Sequence, residues 1–227
     1  NRTEKNRIEG NVVVKNYQGI ETDWTQDSSI VKNTVSDNTG HGILLHLSCS
    51  NNVISANTVN NNHFSGIYLH EHSSDNTVTG NTADNNQENG IFVQVTSNRN
   101  TIRRNFIRGN LGSGIYVWGS AENVIADNSF NNSVNFRIRD VLPNTWNSTR
   151  QYQKNILGSP LMGGNSWAWP NGTGFSQTCP DVNHDGICDT AYVPDSGNTD
   201  HLPLVAFTLL PLPGCSTLPT DPDGDGI

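Results

Sequence analysis

The chain has 227 residues, a formal net charge of −8 and a sequence pI near 5.2. That charge argues against nucleic acid or an anionic membrane surface as partner, and no stretch approaches the roughly 18 apolar residues of a membrane-spanning helix. Thirty-three residues are Asn and 21 are Gly, and both are poor helix formers.

From Asn6 onward one pattern recurs: Asn-x-Ile/Val-x-x-Asn-x-x-x-x-Asn, a loop, then Gly-Ile-x-Leu/Val. The Ile/Val position falls on Ile8, Ile30, Ile54, Val78, Ile102 and Ile125, in steps of 22, 24, 24, 24 and 23 residues. Asn follows at Asn11, Asn33, Asn57, Asn81, Asn105 and Asn128, and again at Asn16, Asn38, Asn62, Asn86 and Asn110, with Ser133 taking that place in the sixth copy. Gly falls on Gly19, Gly42, Gly66, Gly90 and Gly114, with Arg137 in the sixth copy. A fixed period of this length marks a solenoid. Runs such as Ile67-Tyr68-Leu69 alternate as strands do, and the consensus of a leucine-rich repeat is missing. The pattern therefore predicts an all-β parallel β-helix of about six coils over residues 1–141. Ile8, Ile30, Ile54, Val78, Ile102 and Ile125 form one inward stack; Val13, Val35, Val59, Ala83, Ile107 and Phe130 form another. The Asn columns are expected to hydrogen-bond from coil to coil, and the Gly column to supply left-handed corners. Regular coiling is expected to stop near Asp140. Residues 142–210, carrying Trp146, Trp167 and Trp169, then cap the last coil and hide its strand edge.

Gly42-Ile43-Leu44-Leu45 and Ser50-Asn51-Asn52-Val53-Ile54-Ser55-Ala56-Asn57 resemble the right-handed parallel β-helix repeats of the NosD-like and carbohydrate-binding/sugar-hydrolase family. Gly163-Gly164-Asn165-Ser166-Trp167, the run Asp181 to Thr190 and Asn198-Thr199-Asp200-His201-Leu202-Pro203-Leu204 resemble the C-terminal segment of archaeal cell-surface members. The resemblance covers residues 6 to about 204. It implies the right-handed fold and leaves function open, because this fold hosts lyases, hydrolases, epimerases, adhesins and structural proteins.

Beyond the coils, Asp181, Asn183, Asp185, Gly186, Ile187 and Asp189 match positions 1, 3, 5, 6, 7 and 9 of a calcium loop. Position 12 is Tyr192 instead of Glu. The expectation is one structural calcium ion held by Asp181, Asn183, Asp185 and Asp189 and the Ile187 carbonyl; the alternative is an acidic turn loop without an ion. Cys179 and Cys188 bracket this loop and suit a local disulfide, while Cys49 and Cys215 either pair with each other or stay unpaired. Sequons stand at Asn1, Asn131, Asn147 and Asn171. Together these features point to an extracellular or cell-surface setting in an archaeon or bacterium. Residues 211–227 read as a linker and the opening of a second calcium-loop or dockerin-like repeat, which predicts a fragment truncated at both ends.

The outward positions of the Gly-Ile strands form two columns: Leu44, Tyr68, Phe92 and Tyr116, and His46, His70, Gln94 and Trp118. A face this aromatic is a partner surface. The favoured reading is cover by the C-terminal segment or a neighbouring chain, with sugar contact and simple exposure as alternatives. His46 and His70 fall one coil apart, but no third metal ligand converges by register; His72 is off the column, and His41 and His63 sit in loops. Carboxylates Glu71, Asp75, Asp84, Glu88, Glu122 and Asp127 share no column, Arg103, Arg104 and Arg108 lack neighbouring carboxylates, and the Asp-Pro-His-Asp pattern of uronate epimerases is missing, so no catalytic set is read. The leading expectation is a calcium-stabilised structural or adhesive surface protein that contacts other surface or matrix chains or itself. The alternative is a carbohydrate-binding or carbohydrate-active β-helix of the lyase or epimerase kind, with polysaccharide as partner.

Overall fold

Each repeat folds as three short strands joined at three corners, and equivalent strands of successive coils pair in parallel. The computed structural model describes residues 3–140, 142–195 and 197–206. The first sheet runs from Arg7–Glu9 to Val124–Ala126 in six strands, and the second from Val12–Val14 to Ser166–Ala168 in seven. The third has six: Ile20–Asp23, Ile43–His46, Ile67–Leu69, Ile91–Gln94, Ile115–Trp118 and Phe136–Arg139. The chain is a parallel β-helix of about six coils.

Register follows the repeat. Ile8 pairs with Ile30, Ile30 with Ile54 and Ile54 with Val78, so like residues stack inside. Ile54, Val78, Ile102, Ile125, Val59, Ile107 and Phe130 are fully buried. Because strand side chains alternate, each buried residue lies between outward ones.

The Asn columns are ladders in which every amide is used. Asn57 Nδ2 donates to Asn81 Oδ1 at 2.9 Å and to the Ile30 carbonyl at 2.8 Å. The same Asn81 Oδ1 accepts the Asn57 backbone N–H at 2.9 Å. A third ladder, Asn52, Asn76, Asn100, Asn123 and Asn144, guards the remaining corner. The left-handed residue at these corners is the one before the Asn: Lys32, Ala56, Gly80, Arg104 and Asp127 all have φ of 55–66°.

The Gly column has a different cause from the one expected. Gly19, Gly42, Gly66, Gly90 and Gly114 are not left-handed. A Cβ on Gly90 would lie 2.3 Å from Ile107 Cγ2 and 2.8 Å from the Gly114 carbonyl oxygen, so close packing excludes a side chain. The sixth copy is also aligned differently. Asn132, not Ser133, continues the ladder from Asn110, with Nδ2 to Oδ1 at 3.1 Å. Phe136 pairs with Ile115, Arg137 with Tyr116 and Arg139 with Trp118. The sixth coil is shorter, and Arg137 is an outward strand residue rather than a corner.

After Phe136–Arg139 the chain leaves the coil and returns as Ser166–Ala168 on Ser129–Asn131. Trp146 and Trp167 are buried over the open end of the core, and Trp167 stacks on Phe130 with centroids 4.8 Å apart. The indole N–H of Trp146 donates to Asn198 at 2.7 Å, and that of Trp167 to Asp200 at 2.9 Å. Asp200 is fully buried, and burial raises its pKa to about 7. Cys179 and Cys188 form a disulfide. Cys49 is buried where later coils place Ser73, Ser97 and Ser120, and its N–H donates to Ser73 Oγ at 3.3 Å. Cys215, Asn1 and the dockerin-like opening lie outside the described residues.

Candidate functional site

The outward face of the third sheet gathers most of the chemistry-bearing side chains. Tyr68, Phe92 and Tyr116 stack nearly parallel, with centroids 4.6 and 4.7 Å apart and interplanar angles of 5° and 1°. Their faces are taken by one another, so the ladder presents ring edges outward. Leu44 and Tyr68 are buried, while Phe92, Tyr116 and Trp118 are half-buried. The cover at Tyr68 comes from a corner: the His41 ring lies 4.8 Å from Tyr68 and 5.2 Å from Phe64. Burial pulls the His41 pKa down to about 4. Burial also raises the Tyr68 phenol, whose hydroxyl donates to Gln94.

The upper end of the face is cationic. The Arg139 guanidinium lies 4.3 Å from the Trp118 ring centroid, and that of Arg137 lies 5.7 Å from Tyr116. Among the described residues neither Arg has a carboxylate partner. These two residues escaped sequence reading because the shortened sixth coil brings them into the column. Two of the three Arg residues expected to lack neighbouring carboxylates have them, while Arg103 makes no ion pair among the described residues. Arg108 pairs with Asp84 at 2.7 Å and Arg104 with Asp127 at 2.8 Å, one coil apart in each case.

The lower end is a histidine cluster. The His46 and His70 rings are parallel within 5° at 5.2 Å. His46 Nδ1 lies 3.1 Å from Asp23 Oδ1, and its Nε2 lies 3.5 Å from Glu71 Oε2. His70 Nε2 lies 3.9 Å from Glu71 Oε1. Partial burial lowers the His70 pKa, against the opposing pull of Glu71. Glu71 is the third converging group that register alone missed. It follows the strand with φ of 46°, and this left-handed turn swings its carboxylate back toward the column.

The family model described as periplasmic copper-binding protein (NosD) matches residues 1–172. The chain belongs to the NosD family. No curated protein matches it. Among solved structures, two variants of the periplasmic alginate epimerase AlgG are similar. One is 26% identical with a TM-score of 0.56, covering 61% of this chain and 34% of that one. The other is 27% identical with a TM-score of 0.52, covering 62% and 34%. The A-module of the Azotobacter vinelandii mannuronan C-5 epimerase AlgE4, 21% identical with a TM-score of 0.53, covers 65% of this chain and 49% of that one, and shares the fold. The chain thus spans about a third of the length of the AlgG structures.

The calcium expectation is overturned, since the metal in the family description is copper. The loop's oxygens are also engaged internally. Asp181 accepts from the N–H groups of Asp185 and Gly186, Asn183 from Asp185, Asp185 Oδ1 from Ile187 and Asp189 from Val182. The other Asp185 oxygen pairs with Arg150, which supplies the positive charge at that place. Copper(II) is instead a metal of imidazole and carboxylate donors. His46, His70 and Glu71 each bring such an atom within 4.8 Å of the others, and the donor types fit. Of the sequons, Asn171 is exposed at a turn, Asn131 and Asn147 are half-buried, and Asn147 Oδ1 accepts the His201 N–H at 3.2 Å.

Proposed function

We propose that this chain binds an acidic polysaccharide along the outward face of its third sheet, outside the cytoplasm. The observation that carries the reading is the upper half of that face. Half-buried Tyr116 and Trp118 sit beside two guanidiniums without carboxylate partners, on a molecule whose net charge is −8. Ring edges and the phenol and indole dipoles suit the mixed apolar and hydroxyl surface of a sugar. Arg137 and Arg139 suit sugar carboxylates, which a guanidinium binds through paired N–H donors. The likeness to enzymes named as alginate epimerases favours polysaccharide over the structural or adhesive role, and the disulfide suits an oxidising compartment.

Affinity electrophoresis through gels containing alginate, a neutral mannan or no polysaccharide tests this. Alginate is expected to retard the protein and mannan to do so weakly. Trp118→Ala and Arg139→Ala each weaken retardation about tenfold, the loss of one ring-edge or charge-assisted contact. Equal mobility in all three gels overturns the proposal.

A further inference from the structure

The histidine cluster stands at the other end of the face and has its own geometry. We propose that His46, His70 and Glu71 form a mononuclear transition-metal site, with copper(II) the preferred ion and Asp23 the residue that orients His46. Coil register places the imidazoles: Ile43 pairs with Ile67, and each histidine lies three residues on. Both Nε2 atoms face the Glu71 carboxylate, one toward each of its oxygens. Asp23 takes the Nδ1 side of His46. A proton held there leaves the Nε2 lone pair directed at the cluster, the arrangement in which a second carboxylate tunes a ligating histidine. His70 is steadied by Tyr68, whose ring stacks on it at 4.8 Å.

Metal–nitrogen bonds are about 2 Å long. Donors now within 4.8 Å of one another therefore converge through small rotations of side chains that are 22–39% exposed. Water fills the remaining positions. Two imidazole nitrogens with carboxylate oxygen place copper(II) above zinc(II) in affinity. The simpler alternative, an ion pair between protonated His46 and Glu71, needs no metal and predicts no stoichiometric binding.

The experiment titrates the chelator-treated 227-residue chain with copper sulfate and, separately, zinc sulfate. Copper is followed by visible absorption and electron paramagnetic resonance, and the fold by circular dichroism. The expected result is one copper(II) per chain, bound at least about tenfold more tightly than zinc, with hyperfine structure from two nitrogens. His46→Ala and His70→Ala each lose one nitrogen from the spectrum. Asp23→Asn keeps both but weakens binding about tenfold, as loss of an outer partner does. Copper binding unchanged by His46→Ala and His70→Ala overturns the site, as does binding well below one equivalent. Trp118→Ala retains the copper signal, so failure of the polysaccharide reading leaves this result independent.

Discussion

At the residue scale the molecule is governed by polar satisfaction inside a narrow core. Asn81 is buried; it accepts from the Asn57 backbone and side chain and donates to the Ile54 carbonyl and to Asn105 Oδ1. Asn81→Ala orphans several of these groups at once, and a buried unsatisfied group costs about 1–3 kcal/mol. The expected loss is about 3 kcal/mol in a denaturant titration. Asn11→Ala, at the exposed end of the same ladder, costs less than about 1 kcal/mol because water replaces its partners. Equal losses at the two positions would contradict the ladder argument. The Asn spacing was legible in the sequence, but the division of labour was not. The left-handed turn belongs to the residue before the amide, and a Lys, Ala or Arg there carries no signal of it.

At the scale of the coil, two kinds of glycine separate by cause. Gly90 is pinned by Ile107 and the next coil's backbone, whereas Gly10 has φ of 69° and nothing within 4 Å of a Cβ. Gly90→Ala forces the core and the neighbouring coil apart and is expected to cost about 3 kcal/mol, at the upper end for overpacking. Gly10→Ala costs about 1 kcal/mol, the penalty of a left-handed alanine. Thermal melts of the two variants check the order, and a reversal would mean that packing does not exclude a side chain at Gly90. The outward columns were legible for the same reason the core was, since parallel pairing copies position from coil to coil. Their ends were not legible. Glu71 enters through a turn, and Arg137 and Arg139 enter because the sixth coil is short.

At the scale of the whole molecule, stability depends on how the segment after the last coil closes the core. Asp200 accepts the Asn165 backbone N–H at 2.7 Å and the Trp167 indole N–H while fully buried. A Cβ on Gly164 would meet it at 1.8 Å, which accounts for a glycine there. Its folded pKa of about 7 lies above the ordinary carboxylate value, so the folded state holds a proton that the unfolded chain releases. Its contribution is full below about pH 4 and is lost as pH rises to about 7. His41 acts oppositely: its folded pKa of about 4 lies below the ordinary value, so its contribution is present above about pH 6.5 and falls as the unfolded chain takes up a proton. The measurement is therefore a difference. The melting temperature of the wild type minus that of Asp200→Asn is expected to fall steadily from pH 4 to pH 7. A flat difference would show that Asp200 does not titrate in that window.

The sequence alone determined the architecture: the period, the coil count, the inward stacks and the faces on which side chains lie. Each is local to one repeat, and parallel pairing propagates it. The tertiary structure decided every contact that breaks the period. It set Arg150 against Asp185 from 35 residues away, where the sequence offered a calcium loop. It brought Glu71 to two histidines and two arginines to an aromatic ladder. Those contacts depend on corner angles and on the length of one coil, which packing against neighbours sets and no repeat encodes.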